Sequence, residues 1–246
     1  MGYLKEKSGF NIDSAQELID KSYYAPSVHC SYYGSFQYMK YTLKNLNSWT
    51  YDYIEQECLN YRGGTHNYII DKILLALKNK EKICIYGDYD VDGITSTSLM
   101  VKVLTDLGAR VDYYIPERQS EGYGLNSEAL NAIYDNKSSL LITVDCGISA
   151  VAEVEAISDK LDIIITDHHQ PPEVLPKSFA IINPKQVDCT YPEKNLAGVG
   201  VAFKLCQALW LELKKENLMK YLDLVAIGTV ADIVSLLGEN RLIVKL

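Results

Sequence analysis

The chain has 246 residues, 48% of them hydrophobic and 23% charged, with 24 Lys and Arg against 32 Asp and Glu and a formal net charge of -8. That length suffices for one large domain or two small ones with a buried core, and the balance excludes disordered and collagen-like chains. It also excludes nucleic-acid binding through overall charge, which relies on Lys and Arg neutralising phosphates, so an anionic ligand needs a local basic patch or bound cations.

Residues 1–80 form a small, mainly helical opening section. Its many tyrosines (Tyr23, Tyr24, Tyr32, Tyr33, Tyr38 and Tyr41) are read as packing and surface rather than as a base-stacking platform. Ser14 can cap a helix through Leu18 and Ile19, and Ile69, Ile73, Leu74 and Leu77 give a second helical stretch over residues 68–78. Residues 81–246 change to strand and helix alternation. Ile83 to Tyr86 read as a buried strand, and Leu99, Val103, Leu104 and Leu107 as a helix closed by Gly108. Val111, Tyr113 and Ile115 alternate as a second strand before Pro116, and Asn126 or Ser127 opens the next helix. Leu140 to Val144 is a third strand, and Ser149 is expected to cap a helix through Val154 and Ile157. Asp162 to Thr166 and Phe179 to Asn183 complete five strands, followed by helices over 199–214 and from Leu218 to about Leu236. Apolar strands alternating with helices indicate a doubly wound α/β fold, its mostly parallel sheet covered by helices on both faces.

In such a sheet, ligands bind at the carboxyl ends of the strands. The first strand is followed there by Asp88, Asp90 and Asp92, the third by Asp145, and the fourth by Asp167, His168 and His169. Each cluster alone has an ordinary reading, since aspartates in such turns cap helices, but three at one edge share one cause more easily than three. Carboxylates so close cannot all stay ionised without a cation. Oxygen and imidazole donors favour manganese or magnesium over zinc, and Cys146 is read as a small residue leading into Gly147 rather than as a ligand. Asp232 lies in an apolar stretch where a carboxylate is not expected to be buried unpaired, and spacing leaves open whether it reaches the cluster. Arg118 follows the second strand and is a candidate phosphate clamp. Gly198 and Gly200, before the helix carrying Lys204, permit a close backbone approach that serves either phosphate binding or tight packing. His29 and His66 lie in no ligand-spaced cluster.

The six cysteines are scattered without a C-x-x-C pair, the first twenty residues lack an apolar signal core, and no apolar run reaches the roughly 18 residues of a membrane span. The expectation is a cytoplasmic protein with reduced thiols and no membrane partner.

The runs GDYDVDGITST, RQSEGYGLN, VDCGIS, TDHH, INPK, LAGVGVAFKL and GTVADIVSLLGENRLIVK stand in the order and approximate spacing found in the RecJ-like single-stranded-DNA exonucleases of the DHH phosphoesterase superfamily. The resemblance covers about residues 80–246. It implies a two-metal phosphoesterase, using manganese or magnesium, that degrades single-stranded DNA from a 5′ end and serves DNA repair or recombination. By resemblance, Asp88 looks like a ligand of one metal and Asp90 of the other, with Asp145 the bridging carboxylate. His168 and Asp232 look like further ligands of the second ion, and His169 like the catalytic residue that meets the scissile phosphate. Asp167 looks like support for the histidines, and Asp92 like support for the loop or for metal-bound water.

The chain departs from that pattern in two respects. Some relatives place a metal-binding histidine two residues before the first aspartate, where this chain has Tyr86. The family's second lobe, with its glycine-rich substrate motif, and its OB-fold have no counterpart here, so a partner protein supplying the missing lobe is a further expectation. The alternatives are a phosphodiesterase acting on short oligonucleotides or cyclic dinucleotides, and an inactive DHH-type binding or scaffold module.

Overall fold

In the computed structural model, the described residues are 65–118, 122, 124–187, 189, 191–214 and 218–245, with the side chains of 65–68 excluded. The helix expected after Ser14 and the early tyrosines lie outside the described residues. Ile69–Val244 forms one compact unit.

The chain enters through α1 (Thr65–Asn79), then alternates β1 (Lys82–Gly87), α2 (Val91–Asp106), β2 (Arg110–Tyr114), α3 (Ser127–Asp135), β3 (Leu140–Val144), the short α4 (Val151–Glu155), β4 (Asp162–Thr166) and β5 (Ala180–Ile182). Three helices follow, α5 (Gly198–Lys214), α6 (Leu222–Ala231) and α7 (Gly238–Lys245). The strands form one sheet in the order β2-β1-β3-β4-β5, and every pairing is parallel. The direction of winding therefore reverses between β1 and β3, the point at which an open α/β sheet leaves a crevice at its carboxyl edge.

Side chains alternate across each strand, and this sorts the apolar residues into two layers. Ile83, Ile85, Ile142, Val144 and Ile164 join Ile73 of α1, Leu99 and Val103 of α2, and Phe203 and Leu209 of α5 in one buried cluster. Cys84, Tyr86, Leu141, Ile163 and Ile165 join Leu130 and Ile133 of α3 and Val154 of α4 in the other. Each fully buried Ile or Leu contributes about 2 kcal/mol by removal from water, so both faces reward the same register.

Three local expectations are corrected. The helix read from Leu99 onward starts earlier, at Val91, because Asp90 caps it by accepting the Gly93 N–H at 2.9 Å. Ser149 does not cap α4. The chain first makes a turn in which the Ala150 N–H donates to Gly147 O, and the helix starts only at Val151 with no side-chain cap. The helix expected from Leu218 to Leu236 ends at Ala231, because Asp232 is its C-cap and Ile233 turns into the left-handed region at φ 58°.

Candidate metal centre

β1, β3 and β4 end side by side, and the next residues of each carry the acidic and imidazole groups. Asp145 leaves β3 at φ 62°, an uncommon conformation for a non-glycine residue, with its N–H donating to Thr166 O at 3.0 Å. This turn buries its carboxyl beside His168, with 3.1 Å between Asp145 Oδ1 and His168 Nε2. On the other side of the ring, His168 Nδ1 stands 3.6 Å from Asp232 Oδ2. The C-cap position at the end of α6 thus brings the Asp232 carboxyl to the turn that follows β4.

Asp92 is 1% exposed and uses both oxygens to hold the start of α5, Oδ2 accepting the Gly198 N–H at 2.6 Å and Oδ1 the Val199 N–H at 2.9 Å. A carboxylate is favoured at a helix N-terminus, where free N–H groups concentrate. Asp92 Oδ2 is also 3.9 Å from His168 Nε2. Gly198 is needed for space, because a Cβ there would lie 2.4 Å from Asp145 Oδ1. For Gly200 a Cβ would press on Leu196 at 3.3 Å. Of the two readings of these glycines, the structure draws tight packing, and the Gly198 N–H is taken by Asp92.

Asp167 accepts four N–H groups: at Oδ1 from the His168 backbone (2.7 Å), the His169 backbone (3.0 Å) and His169 Nδ1 (2.7 Å), and at Oδ2 from the Ile148 backbone (2.9 Å). Burial opposes its ionisation, but the bonds from His169 and Ile148 outweigh it and hold its pKa below the usual value. The bond to Asp167 raises His169 to about 9, whereas burial lowers His168. The neighbouring histidines are therefore shifted in opposite directions.

The carboxyls of the cluster move the other way. Burial, then Asp92 and Asp90, push Asp145 up to about 10. Burial brings Asp92 to about 6 against the Val199 N–H that favours its charge, and burial also raises Asp88 and Asp232. Asp145 Oδ1, both His168 nitrogens and Asp232 Oδ2 are buried without a hydrogen-bond partner. Carboxyl oxygens thus face the His168 ring on both sides, and none of these atoms forms a hydrogen bond. Such atoms carry a desolvation cost unless a cation shares them.

The donor set fits that role. Asp88, Asp90 and Asp145 each have a carboxyl oxygen within 4.8 Å of the others', and the same spacing holds for one oxygen or ring nitrogen from each of Asp145, His168 and His169, and of Asp92, His168 and Asp232. Asp145 and His168 each belong to two groups, and Asp90 groups with Asp88 rather than with Asp232. Burial raises the Cys146 thiol, which leaves oxygen and imidazole donors as the set.

Tyr86 turns to the opposite face of β1. Its hydroxyl donates to Gly124 O at 2.9 Å and its ring stacks on Tyr114. Arg118 lies over the Tyr89 ring, 5.2 Å from its centroid, and so beside the loop that carries Asp88 and Asp90. One contributor was missed in the sequence, Asn183, which is 2% exposed and whose Nδ2 donates to His169 O at 2.9 Å. It follows β5, so the strand-end rule applied to the fifth strand would have found it. Among the described residues, no helix is long and apolar enough to cross a membrane.

Residues 82–229 match the DHH family, N-terminal domain. Over 177 residues the chain is 56% identical to the single-stranded-DNA-specific exonuclease RecJ of Bacillus subtilis, an alignment covering 72% of this chain and 22% of that protein. It is 44% identical over 181 residues to RecJ of Escherichia coli, covering 68% and 31%. The crystal structure of exonuclease RecJ bound to manganese superposes with a TM-score of 0.68 at 37% identity, covering 74% of this chain and 46% of that one. The chain therefore spans less than a third of the length of these two sequence relatives. With the match over 82–229 and the strand-end aspartates and histidines in place, the chain belongs to the DHH family.

Proposed function

We propose that this chain carries the catalytic lobe of a metal-dependent nuclease that hydrolyses single-stranded DNA, releasing nucleotides from a 5′ end. The observation that carries the reading is the convergence of Asp145 Oδ1, both His168 nitrogens and Asp232 Oδ2, buried without hydrogen-bond partners, on the carboxyl edge of the sheet. Similarity to RecJ, including a relative solved with manganese, supports both the substrate and the metal.

When bound, a pair of divalent cations, manganese or magnesium, neutralises phosphate oxygens and acidifies the attacking water. Asp88, Asp90 and Asp145 would hold one, and Asp145, His168 and Asp232 the other. Asp92 would keep α5, and with it Gly198, against Asp145. His169, fixed through Nδ1 by Asp167, offers Nε2 as a charged donor to the scissile phosphate. Arg118 offers a guanidinium to a neighbouring phosphate. A second lobe, in the same polypeptide or supplied by another, is the cover we assign to the exposed apolar residues beside Asp232, namely Ile227, Val230, Ile233 and Leu237.

The test is incubation with manganese and single-stranded DNA labelled at either end, duplex DNA, and linear or cyclic dinucleotides, alongside Asp145→Ala. Nucleotide release from the 5′ end of single strands, lost in the variant, is the expected result. Hydrolysis of dinucleotides alone would move the substrate to short phosphodiesters, and no manganese-dependent hydrolysis at all would leave a binding module.

A further inference from the structure

We propose that Lys185 is a substrate-positioning residue, a phosphate contact standing across the acidic cluster from Arg118. The inference rests on the reading of the chain as a nuclease and names a further part of that same site.

The placement follows from topology. Arg118 comes after β2 and Lys185 after β5, and these are the two edge strands of the sheet. Neighbouring strands lie about 4.8 Å apart, so the edges are separated by roughly 19 Å. Between them, at the ends of β1, β3 and β4, stand Asp88, Asp145, Asp167 and His168. The carboxyl edge therefore reads cation, acidic cluster, cation. A strand of nucleic acid laid along it meets a positive group on either side of the scissile phosphate.

The local structure holds the Lys185 backbone firmly and leaves its ammonium free. Asn183 Oδ1 accepts the Lys185 N–H at 2.8 Å while Asn183 Nδ2 donates to His169 O, so one buried amide ties Lys185 to the histidine turn. From the other side, Lys194 Nζ donates to Pro184 O at 2.9 Å and to Cys189 O at 2.5 Å. Gln186 Nε2 closes the turn through Asn183 O at 3.3 Å. Lys185 is half-buried, and no described residue forms an ion pair or hydrogen bond with its ammonium. An unpaired lysine on a braced turn beside a metal centre is a suitable point charge for a phosphate. In a chain of net charge -8, cations at this edge are the local positive charge that an anionic substrate requires.

The test compares wild type, Lys185→Gln and Lys185→Arg on single-stranded DNA with saturating manganese over a range of salt concentrations. In Lys185→Gln, KM is expected to rise about tenfold, as for one lost charged contact, with kcat within about twofold. The slope of log kcat/KM against log salt should shrink by about 0.7, the value of one phosphate contact on a single strand. Lys185→Arg should restore most of both, and manganese affinity should match wild type in each variant. Unchanged KM and salt slope, with wild type cleaving single strands, would overturn the inference and leave the nuclease reading standing. Altered manganese affinity, with KM unchanged once the metal is saturating, would also overturn it, because Lys185 would then serve the metal centre and not the substrate. Failure of wild type to cleave or bind single strands would overturn the nuclease reading and this inference with it.

Discussion

At the scale of single residues, the centre is built from buried side chains that are costly without a cation. Asp145 and His169 have folded pKa values raised from 3.8 to about 10 and from 6.5 to about 9. A group whose pKa is raised in the folded state stabilises the fold below its unfolded value, and that stability is lost as pH climbs through the folded value. Metal-free protein should therefore lose stability between pH 7 and 9, where unfolded Asp145 and His169 are already deprotonated. Manganese takes the deprotonated carboxylate, so its stabilising effect should grow over the same range. Melting temperatures with manganese and with chelator should diverge from pH 7 to pH 9, and a constant gap would contradict the assignment. In Asp145→Asn the divergence should largely vanish while the metal-free protein melts no lower than wild type, since asparagine tolerates φ 62° and carries no charge. These residues were legible in the sequence because strand ends in a parallel sheet are where chemistry collects. Asp92 was legible only as support of some kind. Its bonds to the Gly198 and Val199 N–H groups cross more than a hundred residues, which no local spacing encodes.

At the scale of elements, the readable parts were those with one dominant signal. β3 and β4 fall on the residues expected because continuous apolar runs flanked by polar residues have one packing solution. α6 was overextended because its residues are apolar all round, so no period marks its end, and the stop lies in the backbone of Asp232 and Ile233. That helix is pinned to α2 through Gly228, where a Cβ would lie 2.3 Å from Thr95 Oγ1, 2.8 Å from Val199 Cγ1 and 3.0 Å from Asp92 Oδ1. Gly228→Ala should therefore destabilise the fold by about 1–3 kcal/mol, as overpacking does. It should also weaken manganese binding, because the same contact sets the position of Asp232. Chemical denaturation and metal titration of the variant check both effects, and a variant as stable as wild type would show that the α2 and α6 contact is slack.

For the whole molecule, the net charge of -8 and the proposed phosphodiester substrate are reconciled by where the charges lie. Six of the acids, Asp88, Asp90, Asp92, Asp145, Asp167 and Asp232, surround the centre, where bound dications reverse the local sign. The fold class was legible from strand and helix alternation, but the order β2-β1-β3-β4-β5 was not, because parallel strands of similar composition do not announce their neighbours. It is this order that places the reversal point between Asp88 and Asp145. The central claim, that these donors are seats for two divalent cations, is tested most directly by counting manganese ions per chain by native mass spectrometry. Wild type should bind two, and Asp145→Asn, which removes the carboxylate assigned to both seats, should bind fewer than two. A wild-type chain that binds no manganese, or an Asp145→Asn chain that still binds two, would contradict the account.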